Sequence, residues 1–97
     1  MQFIWDEAKS ERTYRERGFD FAFATLIFEG PTLEREDTRQ DYGERRMLAI
    51  GMAQGVELTV CYTDRVTTTG SMIRRIVSAR RSQYRERKAY HQAFEGR

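Results

Sequence analysis

Between Arg46 and Ala79 the apolar residues recur with a period of two, and no other feature constrains the fold of this chain as strongly. Leu48, Ile50 and Met52 alternate with Met47, Ala49 and Gly51. Gln54-Gly55 interrupts, and Val56, Leu58, Val60 and Tyr62 then alternate with Glu57, Thr59 and Cys61. Two alternating runs joined by a glycine-containing pair read as a β-hairpin. A turn over residues 65–70, with its threonine triplet, precedes a third run in which Ile73, Arg75, Val77 and Ala79 alternate with Met72, Arg74, Ile76 and Ser78. The second half of the chain therefore predicts an antiparallel meander.

The first half follows a helical period. Phe3-Ile4-Trp5 is a short β-prone run, and Asp6 is a good N-cap for a helix over residues 6–17, with Glu7 suited to its first turn and Gly18 to its stop. Ala8 and Tyr14 are the few apolar residues of that helix, which places it on the surface. Asp20 caps a second segment in which Phe19, Ala22, Phe23, Leu26 and Ile27 recur at three- and four-residue spacing, the expected main core helix, ending near Glu29-Gly30-Pro31. Residues 32–46 are acidic and polar and predict a short edge strand and a loop turning at Asp41-Tyr42-Gly43. Ser82 can cap a last helix from about Gln83 to Phe94, with Glu86, Tyr90, Ala93 and Phe94 on one side. The expected fold class is α+β: a strand, two N-terminal helices, a three- to four-stranded antiparallel sheet and a C-terminal helix, with helices covering one sheet face.

At 97 residues the chain suits one domain, residues 1–97. It has no apolar run of membrane-spanning length, and Met1 to Asp6 lacks the basic start and apolar stretch of a signal peptide, so a cytoplasmic protein is expected. The lone Cys61 cannot form an internal disulfide, and with the lone His91 it cannot supply a Cys/His zinc set. No metal or cofactor is expected. The net charge of +2 hides a division: residues 1–64 hold 8 basic and 13 acidic side chains, a net −5, whereas residues 65–97 hold 9 and 2, a net +7. Arginine supplies 15 of the 17 cations, and its rigid fork of donors suits phosphates.

The chain offers no Ser/His/Asp set, no phosphate-cradling glycine loop and no paired metal ligands at helical spacing. What remains is the arginine concentration. Arg65 ends the second hairpin strand, Arg74 and Arg75 lie on opposite faces of the third, and Arg80 and Arg81 end it. If these converge with Arg85 and Glu86, they form a cationic cleft beside one carboxylate, flanked by Tyr62, Tyr84 and Tyr90. Such a cleft suits a phosphodiester: arginines offset charge growing on the phosphate oxygens, and in RNA the 2′-hydroxyl supplies the nucleophile. Beside this stand plainer readings, in which the arginines are solvated, Glu86 is a helix-surface partner, and Tyr90 and Phe94 belong to the core. The residues alone describe a small α+β domain with a basic face for nucleic acid or an acidic partner.

Trp5-Asp6-Glu7-Ala8-Lys9, Gly18-Phe19-Asp20-Phe21, Asp41-Tyr42-Gly43-Glu44-Arg45-Arg46, Tyr62-Thr63-Asp64-Arg65 and Ile76-Val77-Ser78-Ala79-Arg80-Arg81, followed by Glu86-Arg87 and Tyr90, occur in an order and spacing that resembles the BrnT toxin family from about residue 3 to residue 94. The resemblance implies a RelE-like fold and a metal-independent endoribonuclease toxin of a bacterial type II toxin–antitoxin pair that inhibits translation. It also implies neutralisation by a DNA-binding BrnA-type antitoxin, through which alone the toxin reaches operator DNA. Carried over to this sequence, it implies Arg65, Arg80 and Glu86 as catalytic residues, and Lys9, Arg17, Arg81, Tyr62 and Tyr90 as contacts to the RNA substrate. The chain departs from the family at Glu16-Arg17-Gly18, where many members read Lys-His-Gly; a guanidinium stays protonated and does not replace a histidine as base. The alternative reading is a degenerate toxin acting without catalysis, as a basic protein- or RNA-binding module.

Overall fold

The computed structural model describes residues 1–94; Glu95 and Arg97, both counted in the charge of the C-terminal third, lie outside the described residues. The element order is β1 (Gln2–Trp5), α1 (Glu7–Arg17), α2 (Phe21–Ala24) running into a 3-10 helix (Thr25–Glu29), β2 (Leu33–Glu36), β3 (Met47–Ala53), β4 (Val56–Val66), β5 (Met72–Arg81) and α3 (Tyr84–Phe94). The α+β class and the terminal helix match expectation. So do the caps: Asp6 Oδ1 accepts from the amides of Ala8 and Lys9, Asp20 Oδ1 accepts from Phe23, and Gly18 at φ 85° donates its N–H to the Tyr14 carbonyl.

The sheet differs from the predicted three- to four-stranded antiparallel one. It has five strands in the order β1-β5-β4-β3-β2 and is mixed, because β1 runs parallel to β5. Phe3 and Trp5 explain the addition, since both pack against the buried cluster once β1 lies beside β5. The second helix is also shorter than expected. Its α-helical part is one turn, and the chain then tightens into 3-10 geometry, which brings Ile27 against Gly51 of β3, where a Cβ would stand 2.8 Å from the Ile27 Cβ.

Two sheet faces result. One carries Ala49, Leu58, Val60, Tyr62, Ile76 and Ala79 against Phe19, Phe21, Ala24 and Ile27, and forms the main core. The other carries a small buried cluster of Leu48, Cys61 and Val77. The strict alternation predicted through β5 breaks at a bulge opposite Cys61/Tyr62, so that Ile76 and Ala79 face the main core together while Val77 turns to the second face. The loop after β2 folds back through Asp37, whose side chain is 1% exposed and takes a bidentate pair from Arg39. The bond from Arg39 holds that carboxyl well below the usual carboxylate range, against the opposing effect of burial.

Candidate functional site

Strand register sorts the candidate residues by face. Leu33 pairs with Ile50, Ile50 with Thr59, and Thr59 with Arg80, which makes one row across β2, β3, β4 and β5; Arg35, Leu48, Cys61 and Ser78 make the next. Both rows lie on the second face, because successive residues of a strand point to opposite sides.

α3 closes over the end of the first row and is fastened there. Arg87 donates to the Ser82 carbonyl at 2.7 Å, Tyr90 Oη donates to the Pro31 carbonyl at 2.9 Å, and His91 Nε2 lies 2.9 Å from Glu57 Oε2. The Ser82 hydroxyl, expected to cap this helix, instead lies 2.8 Å from the Thr59 hydroxyl in a buried pair. Gln83 takes the cap position, and Glu86 reaches back to its amide at 2.7 Å, the carboxylate half of a capping box.

The other commitment of Glu86 is to Arg80. The guanidinium donates to both carboxylate oxygens, at 2.7 and 2.9 Å, with side-chain exposures of 35% for Arg80 and 13% for Glu86. Burial alone would raise the Glu86 carboxyl, but the hydrogen bonds from Arg80 and the Gln83 amide, with the Arg80 charge, outweigh it and hold the group down to about 2. The result is a cation presented to solvent on one side and locked to a carboxylate on the other.

A groove of about 380 Å³ opens beside this pair, between β2 and α3, lined by Leu33, Glu34, Arg35, Leu48, Ile50 and Thr59 on the sheet and by Arg85, Glu86 and Ala89 on the helix. Arg35 and Arg85 are exposed and have no hydrogen-bond or ion-pair partner among the described residues. Arg85 belonged to the predicted cleft. Arg35 did not, although its place two residues from Leu33 in a predicted strand gave the signal that they share a face.

The remaining predicted residues do not gather there. Arg65 pairs with Ile73, six residues along β4 from Thr59, which separates it from Arg80 by about 20 Å. It borders a hollow of about 310 Å³ with Glu44, Arg45, Thr63 and Arg75. Lys9 and Arg17 are exposed on α1, and Arg81 points to the side covered by α1 and α2, beside Tyr14 and Phe23, away from its neighbour Arg80. Tyr62 is 4% exposed and donates its hydroxyl to Glu34, while its ring lies under Arg74 at 3.9 Å. Burial first, and the Glu34 bond second, push that phenol up, so it stays protonated. Tyr90 is 3% exposed. Neither ring is presented for stacking, as the plainer reading of Tyr90 anticipated.

The cationic third is also less naked than its net charge suggests. Arg74 is held by Asp64 through two bonds of 2.8 Å, Arg75 by Glu44 at 2.8 and 2.9 Å, and Arg80 by Glu86. Among the described residues no group of three or more His, Cys, Asp or Glu could hold a metal ion, and no helix is long and apolar enough to cross a membrane. In sequence, the family model described as "Ribonuclease toxin, BrnT, of type II toxin-antitoxin system" matches residues 5–86. No curated protein sequence matches the chain.

Proposed function

The chain belongs to the BrnT family of ribonuclease toxins from type II toxin–antitoxin systems, which implies an antitoxin protein as partner, and from that membership we propose that the Arg80–Glu86 site cuts RNA without a metal ion. The observation that carries this reading is the bidentate Arg80–Glu86 pair at the mouth of the groove, because a phosphate offers Arg80 the same two-oxygen geometry and can take the place of Glu86. In this mechanism the substrate phosphate displaces Glu86 from Arg80. The freed carboxylate, no longer held down by the guanidinium, accepts the proton of the RNA 2′-hydroxyl. The 2′ oxygen forms its bond to phosphorus as the bond to the 5′ oxygen breaks; Arg80 offsets charge on the nonbridging oxygens, and the leaving oxygen is protonated from solvent. The products are a 2′,3′-cyclic phosphate and a 5′-hydroxyl. Lys9, Arg17, Arg81 and Arg65 act as phosphate contacts outside the groove, and cleavage of cellular RNA in the cytoplasm inhibits translation until a BrnA-type antitoxin covers the toxin.

Purified protein incubated with RNA and excess EDTA is expected to yield cyclic-phosphate ends, and Arg80→Ala to lower kcat by about a hundredfold or more, the usual effect of removing one donor aimed at developing charge. Cleavage that survives Arg80→Ala at the wild-type rate overturns this site.

A second reading, binding without catalysis, is favoured by one observation: the carboxylate nearest the arginine is locked to it. Salt-sensitive RNA or partner binding with no RNA products at any pH would establish it.

A further inference from the structure

We propose that the groove between β2 and α3 seats one nucleotide of single-stranded RNA next to the phosphate held at Arg80, with its base on Leu33, Leu48 and Ile50 and its neighbouring phosphates on Arg35 and Arg85. This rests on the reading of Arg80–Glu86 as the site of RNA cleavage, and it extends that site across the sheet.

Three observations carry it. The floor is aliphatic and continuous, since Leu33 and Ile50 are paired in the ladder and Leu48 follows two residues before Ile50 on the same face. Each rim carries an arginine with no partner among the described residues, Arg35 on β2 and Arg85 on α3, while the two carboxylates of the lining are already engaged, Glu34 by the Tyr62 hydroxyl and Glu86 by Arg80. The groove is also continuous with the candidate site, because Glu86 and Thr59 line it too. A flat apolar floor between two arginines, a short distance from a third, matches a strand that alternates base and phosphate. Three strand spacings of about 4.8 Å separate the backbones at Arg80 and Arg35 along the rows, a span that two long arginine side chains shorten from both ends. An acidic amphipathic peptide is the rival occupant. At about 380 Å³ the groove holds a base-sized group rather than a helix about 10–12 Å across.

The test uses the full chain and a fluorogenic single-stranded RNA whose cleaved bond has been mapped, read by steady-state kinetics and by anisotropy. Arg35→Ala and Arg85→Ala are each expected to raise KM about tenfold while kcat stays within about twofold, and Arg12→Ala, on the exposed side of α1, to change neither. An abasic nucleotide beside the cleaved bond is expected to raise KM for the wild-type protein by a similar factor. If RNA is cut in an Arg80-dependent way but both groove variants keep the wild-type KM, the groove proposal falls while the cleavage site stands. If the variants lose affinity for the antitoxin alone, the groove is a protein seat and the proposal is overturned. If the wild-type protein cuts no RNA, the cleavage reading fails, and anisotropy still decides the groove: unchanged RNA affinity in both variants overturns it.

Discussion

The Arg80–Glu86 pair joins a structural contact to the proposed chemistry, so the same substitution is read twice. Glu86 caps α3 and neutralises Arg80; Glu86→Gln is expected to cost about 1–2 kcal/mol, measured as a drop in Tm at neutral pH. A carboxyl whose folded value is depressed stabilises fully above its ordinary value of 4.5, and that contribution is lost as pH falls toward about 2. The wild-type protein should therefore lose Tm across that window, and the Glu86→Gln protein should lose less of it. Kinetics should show the other side: the acid limb of kcat/KM, reporting the free enzyme, should lie below that of kcat, because bound phosphate has by then taken Arg80 away from Glu86. Coincident limbs would contradict the displacement of Glu86. At this scale much was legible in the sequence. Arg80, Glu86 and Arg85 were selected by charge and position, and they do meet. Arg81 and Arg65 were selected by the same criteria and do not join them. Adjacent strand residues face opposite ways, and register, which fixes how far apart two strand residues lie, is decided by pairing partners rather than by local pattern.

Among the elements, the hairpin and both long strands were legible because alternation and glycine turns are local signals. The parallel pairing of β1 with β5 joins segments some seventy residues apart, and no local period encodes it. The one-turn α2 was hidden for a different reason. The run from Phe19 to Phe28 is apolar on nearly every side, so its period could not report where α-helix gives way to 3-10 geometry. That tightening is tested at Gly51: Gly51→Ala sets a methyl within 2.8 Å of Ile27 and is expected to lower stability by about 1–3 kcal/mol in denaturant unfolding. The two tyrosines carried over as substrate contacts are fastened to other elements, Tyr62 to β2 through Glu34 and Tyr90 to the Pro31 carbonyl. Tyr62→Phe and Tyr90→Phe should therefore lower Tm by several degrees and leave kcat within about twofold, whereas a stacking role would need neither hydroxyl and would not place the rings at 4% and 3% exposure.

For the whole molecule, ion pairs neutralise part of the cationic third, through Arg74, Arg75 and Arg80, and leave Arg35 and Arg85 without carboxylates beside the groove on the second sheet face. The affinity of an oligonucleotide just long enough to reach Arg35, Arg80 and Arg85 should therefore depend on salt with a log–log slope near −2, as expected of about three phosphate contacts by a single strand, and binding titrations at several salt concentrations measure it. Arg65 lies about 20 Å along β4 from the Arg80 row, so Arg65→Ala should weaken binding of long RNAs and leave short ones unaffected, which a length series of oligonucleotides would show. The net charge of the chain could not announce this arrangement, because which carboxylate meets which arginine is a property of the fold: Glu44 reaches Arg75 across thirty-one positions. The position of β5 between β1 and β4 also sets a timetable. During synthesis the first strand emerges long before its neighbour, and Arg80, Glu86 and the helix that carries Glu86 follow only with β5 and α3. The Arg80–Glu86 pair and the completed sheet therefore assemble at the same late point, once the segment through α3 has been made.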